Sequence, residues 1–514
     1  MKKSLLLAGL IAMGLGASAQ TPFAYGISGE RAGDFLGVEY ALNAGAQNVE
    51  LQLVNVQTKE VVATEPLGGA TNGKHEASMS LEGLADGVYT LQIAVYGEAL
   101  TEPKQVFSDF GTGQAHQFWS PYGIACDNNP LSPNFGRVLC NESQTSVPAS
   151  YFAGGKVGLF EYTPAGEFVA YHNPLEIRTD FCPDGSTRAF NFKKIRISKD
   201  GRIFVGVDNC VDNPVYELSS DLQTWTPLFE GTLDAETGYI NDAEGKFIAG
   251  PSAAFDIAGE GENLKLVNLA CKGGQVFAYG NFTTHTYDLG TATSVSTPVG
   301  DMDEVIPLSM QYTISAQSVS LAMDQDGKGI WYAQYRGTPT EAQPAIKHVS
   351  LNADGEWEED YSDVTTVVRG GGIAWNKDYT MLAIPKGNNL LGVYEVTEGE
   401  AGPVLNEIHS LSVSSIRGFN DIAWDYANNI YACDNGKEVL QQIQLPNVKA
   451  SNSMVKENEV EPVVTPTDIT FEVKATAVKD LNTEVAKTVK YIENGQVVIE
   501  KAGVKYNVAG QVIK

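Results

Sequence analysis

Short runs in which apolar and polar residues alternate, separated by turn residues, fill residues 22 to 105. Val49-Glu50-Leu51-Gln52-Leu53-Val54 is one such run and Val88-Tyr89-Thr90-Leu91-Gln92-Ile93-Ala94-Val95 is another, with Gly73 to His75 and Ala85-Asp86-Gly87 as punctuation. Alternation with period two turns one face of a strand to a core and the other to water, so these runs predict half-buried antiparallel strands. Their spacing suits a small β-sandwich over residues 20–105.

From residue 106 to residue 446 one strand pair recurs. Gly123-Ile124-Ala125-Cys126-Asp127, Ser320-Leu321-Ala322-Met323-Asp324, Gly372-Ile373-Ala374-Trp375-Asn376 and Asp421-Ile422-Ala423-Trp424-Asp425 share a pattern. A turn and a second strand follow each, as in Gly136-Arg137-Val138-Leu139-Cys140 and Asn429-Ile430-Tyr431-Ala432-Cys433. Two weaker copies, at Lys194-Ile195-Arg196-Ile197-Ser198 and Phe255-Asp256-Ile257-Ala258, bring the units to six, starting near residues 122, 192, 254, 318, 371 and 418. Uneven spacing suits four-stranded units with loops of different length. A repeated β-unit that cannot cover both of its faces is stabilised by its neighbours, and radial closure also protects the strand edges. The expected fold class is therefore all-β, with a β-sandwich, a six-bladed β-propeller and a short C-terminal β element.

Beyond Pro446, residues 447–467 are rich in Asn, Ser, Glu and Val with Pro462 and Pro466, which predicts a linker. Order returns over 468–514, where Asn494-Gly495 between two alternating runs is a two-residue hairpin signal.

Three segments carry resemblances. Tyr40-Ala41-Leu42, the strand at 49 to 54, Val61-Val62 and the Asp86-Gly87-Val88-Tyr89 corner resemble the Ig-like domain of the flagellar-hook-cap type, which implies a scaffold. Asp127-Asn128-Asn129-Pro130 through Asn134-Phe135-Gly136-Arg137-Val138 resembles the first hairpin of NHL-type six-bladed propellers. The ending Tyr506-Asn507-Val508-Ala509-Gly510-Gln511-Val512 resembles the C-terminal sorting tails of Bacteroidetes proteins that use type IX secretion. That last resemblance implies an export machinery as partner, with Tyr506, Asn507 and Gly510 in the recognised ending, and a protein secreted or held at the outer cell surface.

Met1 to Ala19 has Lys2 and Lys3, an apolar run from Leu5 to Leu15 and Ala17-Ser18-Ala19, the order of a secretory signal peptide. The apolar run is too short for a transmembrane helix, and no later segment is apolar for long enough, so the mature chain is expected to hold no integral membrane segment. With export by the leader alone the periplasm is the alternative location. Cys126, Cys140, Cys182, Cys210, Cys271 and Cys433 show no C-x-x-C spacing; disulfides and buried free thiols both remain open. The 514 residues carry a net charge of −28, with 43% hydrophobic and 19% charged residues. Such a balance builds a core and repels phosphate backbones, so nucleic acid is excluded as a partner.

Candidate chemistry is thin. Asp324-Gln325-Asp326-Gly327 has the alternating carboxylates that open a calcium loop, which makes Asp324 and Asp326 the candidate Ca2+ ligands. The Glu that completes such a loop is missing, and Asp-Gly is ordinary hairpin chemistry, so a plain turn is the stronger reading. Asp127, Asp324, Asn376 and Asp425 recur at one place in the repeat, where turn capping outweighs a shared site. Trp375 and Trp424 align with Met323 and Cys126, which assigns them to packing between units. His116, Phe118, Trp119 and Tyr122, where the chain enters the first unit, form one candidate ligand cluster, and Tyr335 with Arg336 another. No nucleophile elbow or phosphate loop stands in the right setting, and no catalytic residue is assigned. These features favour a non-catalytic binding protein that presents a propeller face to a glycan, a peptide or a surface protein. The alternatives are a propeller hydrolase or lyase with its site at the channel mouth, and a structural spacer of the cell envelope.

Overall fold

The computed structural model describes residues 20–107, 116–143, 156, 158–172, 192–207, 213–234, 239–271, 282–298, 300–301, 319–334, 341, 344–366, 368, 371–387, 390–400, 402–412, 419–447, 460–474, 489–493, 496–501, 504–506 and 512–513. Over these residues the chain is all-β, with one 3-10 turn at Gly261–Asn263 and no α-helix. The leader at 1–19, Cys182, Cys210, Tyr335, Arg336, Asn507 and Gly510 lie outside the described residues.

Two sheets face each other at the N-terminal end. One orders Ala24–Ala32, Phe35–Leu42 and Gly73–Ser80; the other orders Val463–Val473, Gly87–Tyr96, Ala46–Asn55 and Val61–Ala70. Alternation decides the faces. Val49, Leu51, Leu53, Leu91, Ile93 and Val95 are buried between the sheets, while Gln92 donates to Gln52 and Gln52 to Glu50 on the other side.

The strand Val463–Val473 corrects the linker expected over 447–467. It pairs antiparallel with Gly87–Tyr96 and sets Ile469 and Phe471 against the sandwich core. Pro466 is tolerated because the strand is an edge, and the register slips between Pro466 and Thr470.

Six further sheets follow in sequence, their first strands being Pro121–Cys126, Phe192–Ile197, Ser252–Ala258, Val319–Met323, Ala374–Trp375 and Phe419–Trp424. Each first strand packs beside the next, and Phe419–Trp424 packs against Pro121–Cys126, so the sheets close into a ring. Approach is tight between the first and second of these sheets: a Cβ on Gly123 would meet the Lys193 carbonyl oxygen at 2.1 Å, so only glycine fits. Ile124, Ile195, Phe255, Leu321, Ile373 and Ile422, equivalent in the repeat, are all buried.

The sixth sheet has three strands of its own, Phe419–Trp424, Ile430–Asp434 and Val439–Gln444, and takes its fourth, Lys104–Phe107, from the segment that precedes the ring. Backbone ladder bonds thus fasten the last unit to the start of the chain, and the boundary read at residues 105 and 106 falls inside a strand. A three-stranded sheet, Thr232–Leu233, Ile240–Asn241 and Phe247–Ala249, is inserted between the second and third ring sheets. Near the C-terminus, Val489–Glu493 and Gln496–Lys501 pair as the Asn-Gly signal predicts, and Val504–Tyr506 adds a third strand.

Sandwich and ring touch through a small aromatic core. Phe23 lies 5.6 Å from Phe135, which meets Tyr426 edge-on at 5.0 Å. Beside it, Thr21 N–H donates to Asn429 Oδ1 at 2.9 Å and Tyr426 Oη donates to the Val464 carbonyl at 2.8 Å.

Candidate functional site

A cavity of about 700 Å3 opens where the first strands of the ring end. Cys126, Ile197, Ile257, Met323, Trp375 and Trp424 line it, one from each ring sheet at the same place in the repeat. The loop at 128–131, the turn at 377–379, Tyr426 and two sandwich residues, Pro466 and Thr467, complete the wall. A mouth assembled from every unit is the place where a ring of sheets gathers side chains distant in sequence.

Trp375 and Trp424, assigned to packing by the repeat, are both in this wall. Trp424 is buried and its Nε1–H donates to the Ala374 carbonyl at 2.9 Å, which fixes the indole. Trp375 is half-buried, edge-on to Trp331 at 6.4 Å and 6.0 Å from the Tyr379 ring. Its indole N–H is buried with no hydrogen-bond partner among the described residues. Tyr379 holds a left-handed backbone (φ 54°), a conformation costly for an aromatic residue. Asn376 Oδ1 secures the turn by accepting from the N–H groups of Thr380 and Met381, both at 2.9 Å.

Four charged side chains form the floor and its underside. In the repeat the residue before the mouth position is Ala125, Ala322, Ala374 or Ala423 in four units, but Arg196 and Asp256 in the other two. Arg196 Nε lies 2.6 Å from Asp256 Oδ1 and its Nη1 lies 2.9 Å from Asp421 Oδ2. Lys194 Nζ donates to Asp421 Oδ1 at 3.1 Å, to the Gly371 carbonyl at 2.7 Å and to the Asn420 carbonyl at 2.5 Å. Asp421 also accepts from Ile124 N–H at 3.1 Å, and Asp256 from Met323 N–H at 2.8 Å. Two cations face two carboxylates, so the network is neutral within itself. Burial pulls the Lys194 amine down to about 8 against the opposing pull of Asp421. Arg196 is also buried, but Asp421 and Asp256 more than offset that and hold the guanidinium charged. The sequence reading missed this network; the exchange of Ala for Arg196 and Asp256 was its one visible trace.

The residues singled out from the sequence lie elsewhere. Phe118 is buried edge-on to Phe160 at 5.2 Å, and His116 stacks on Tyr162 at 5.4 Å with Nε2 2.5 Å from the Gly166 carbonyl oxygen. Trp119 is part-buried, its N–H donating to Glu142, and Tyr122 is buried beneath Lys193 Nζ, 3.9 Å from the ring centre. These four side chains pack into the sheets at the closure of the ring and do not line the mouth. Asp324 and Asp326 are not brought together either. Asp324 Oδ2 lies 3.0 Å from His348 Nε2, whereas Asp326 Oδ1 accepts from Lys328 N–H as a turn carboxylate does. The other recurring polar residues cap turns. Asp127 accepts from Asn129 N–H and Ser132 Oγ, and Asp425 from the N–H groups of Ala427 and Asn429. Among the described residues no group of three His, Cys, Asp or Glu side chains converges as a metal site. Tyr506 is placed as strand backbone in the C-terminal sheet.

No protein-family model matches the chain, and no curated protein matches it. Among solved structures, a protein of unknown function from Bacteroides thetaiotaomicron aligns at 12% identity with a TM-score of 0.37, over 81% of this chain and 98% of that one.

Proposed function

We propose that the chain is an exported, non-catalytic glycan-binding protein, in which an NHL-type six-bladed propeller takes a neutral oligosaccharide at its mouth. The observation that carries the reading is the 700 Å3 cavity walled by Trp375, Tyr379, Trp424 and Tyr426 over an internally neutralised floor. Aromatic faces offer the flat apolar surface on which the C–H face of a sugar ring stacks, and a few placed polar groups fix its orientation. The net charge of −28 disfavours an acidic ligand. In this reading the sandwich is an Ig-like module that completes one side of the mouth through Pro466 and Thr467. The C-terminal segment, with its ending Tyr506-Asn507-Val508-Ala509-Gly510-Gln511-Val512, is a sorting tail for the outer surface.

The hydrolase or lyase alternative needs a carboxylate at the mouth poised to move a proton. Of the lining carboxylates, Asp256 is paired with Arg196 and Asp378 with Lys377, which leaves Glu260 as the carboxylate that the alternative would have to use. Tryptophan fluorescence titration against neutral oligosaccharides, acidic oligosaccharides and short peptides tests the reading. Saturable binding of a neutral oligosaccharide is expected, weakened about tenfold or more by Trp375→Ala. Binding confined to peptides, no saturation with any class, or an affinity untouched by Trp375→Ala would reject it.

A further inference from the structure

Cys140 and Cys433 stand 293 residues apart in sequence, yet their Sγ atoms are 3.7 Å apart. Cys140 lies in Val138–Glu142, the second strand of the first ring sheet, and Cys433 in Ile430–Asp434, the second strand of the sixth. They therefore face each other across the seam where the ring closes. Both are fully buried, and Cys433 Sγ lies 3.5 Å from the carbonyl oxygen of Gly123, in the first strand of the first sheet.

We propose that Cys140 and Cys433 are a disulfide site that staples the first ring sheet to the sixth. Both are free thiols in this structure, and the two Sγ atoms must close from 3.7 Å to the roughly 2.05 Å of an S–S bond. The oxidant is an external disulfide. One cysteine thiolate attacks it and expels one of its thiols, leaving a mixed disulfide; the second thiolate then displaces the other thiol and closes the Cys140–Cys433 bond. Two electrons pass to the external disulfide, which leaves as two thiols after taking up the two protons the cysteines release. Burial pushes the Cys433 thiol well up, so the thiolate is scarce in the closed ring and the bond forms while the seam is open, before or during closure. The loop so enclosed spans nearly the whole ring, and it is closed at the seam that Lys104–Phe107 fastens from the outer edge. The proposal stands independently of any ligand at the mouth.

The test is a peptide map of the full chain folded in oxidised and reduced glutathione, blocked with an alkylating reagent and digested without reduction. A peptide joining Cys140 to Cys433 is expected, together with a thermal midpoint about 5 °C above that of the dithiothreitol-treated protein. Cys140→Ser and Cys433→Ser should each lose both the joined peptide and the thermal gain. If either variant fails to fold, the map of the unaltered chain still decides. Recovery of both cysteines as alkylated thiols from the oxidised sample, or of either one joined to a different cysteine, would overturn the proposal.

Discussion

His348 shows how much one side chain's role depends on partners that local sequence does not reveal. Its Nδ1 lies 2.6 Å from Asp360 and its Nε2 3.0 Å from Asp324, and the ring packs on Trp331 at 4.5 Å. Burial pulls its pKa down, but the two carboxylates outweigh burial and the net shift is upward from 6.5. A histidine whose folded-state pKa is raised adds stability that is fully present below its unfolded value and lost as pH rises through the folded one. His348→Gln should therefore cost about 2 kcal/mol near pH 6, and the gap to the unaltered chain should narrow from pH 6.5 upward. Urea midpoints of both proteins at several pH values measure this, and a gap independent of pH would mean that His348 acts through packing alone. The alternating pattern around His348 identified its strand, but Asp360 belongs to the next strand and Asp324 to a turn two strands earlier. The same limit applies at the mouth. Turn capping by Asp127, Asn376 and Asp425 follows from their own next few residues, whereas the pairing of Lys194 with Asp421 joins the second unit to the sixth, far apart in sequence.

At the scale of strands, legibility follows the distance between partners. Period two predicts which faces of Ala46–Asn55 and Gly87–Tyr96 are buried, because alternation is local chemistry. It carries no record of who pairs with whom. Lys104–Phe107 looks like the exit from the sandwich and completes the sixth ring sheet; Val463–Val473 straddles the boundary read at 467 and 468 between linker and tail, and completes the sandwich. These two strands cross-connect the bodies, which bears on any shortened chain. Ending the protein after Lys474 retains Val463–Val473 and should leave the thermal midpoint unchanged, so failure of that variant to reach the cell surface would report on the tail. Ending it before Val463 strips eight paired positions from Gly87–Tyr96 and uncovers the core beside Ile469 and Phe471. That cut should lower sandwich stability by about 3 kcal/mol or more and expose a strand edge prone to aggregation. Calorimetry of the two truncations compares them directly, and equal midpoints would show that the last strand contributes little.

For the whole molecule, the ring has a polar bolt at its centre. Asp421, on the sixth sheet, receives Ile124 N–H from the first and Lys194 and Arg196 from the second; Arg196 reaches Asp256 on the third, and Asp256 receives Met323 N–H from the fourth. Lys194 also donates to the Gly371 carbonyl, just ahead of the fifth. Asp421 is wholly buried, with a side-chain exposure of 0%. A buried ionic cluster of this kind is not in itself a gain over a packed apolar core, since four charges had to leave water. Removing one member is a different matter. Asp421→Ala leaves Lys194 and Arg196 facing each other with only Asp256 in compensation, and should cost about 3–5 kcal/mol of ring stability. Asp421→Asn keeps the shape and part of the hydrogen bonding and should fall between that variant and the unaltered chain. Denaturant unfolding of the three proteins decides: a loss below about 1 kcal/mol for Asp421→Ala would mean that water reaches the cluster through the mouth and replaces the missing carboxylate. In that case the floor would belong to the solvent-filled cavity, and its charges would be open to a ligand; a large loss instead marks the cluster as the dry joint that holds six sheets around one axis.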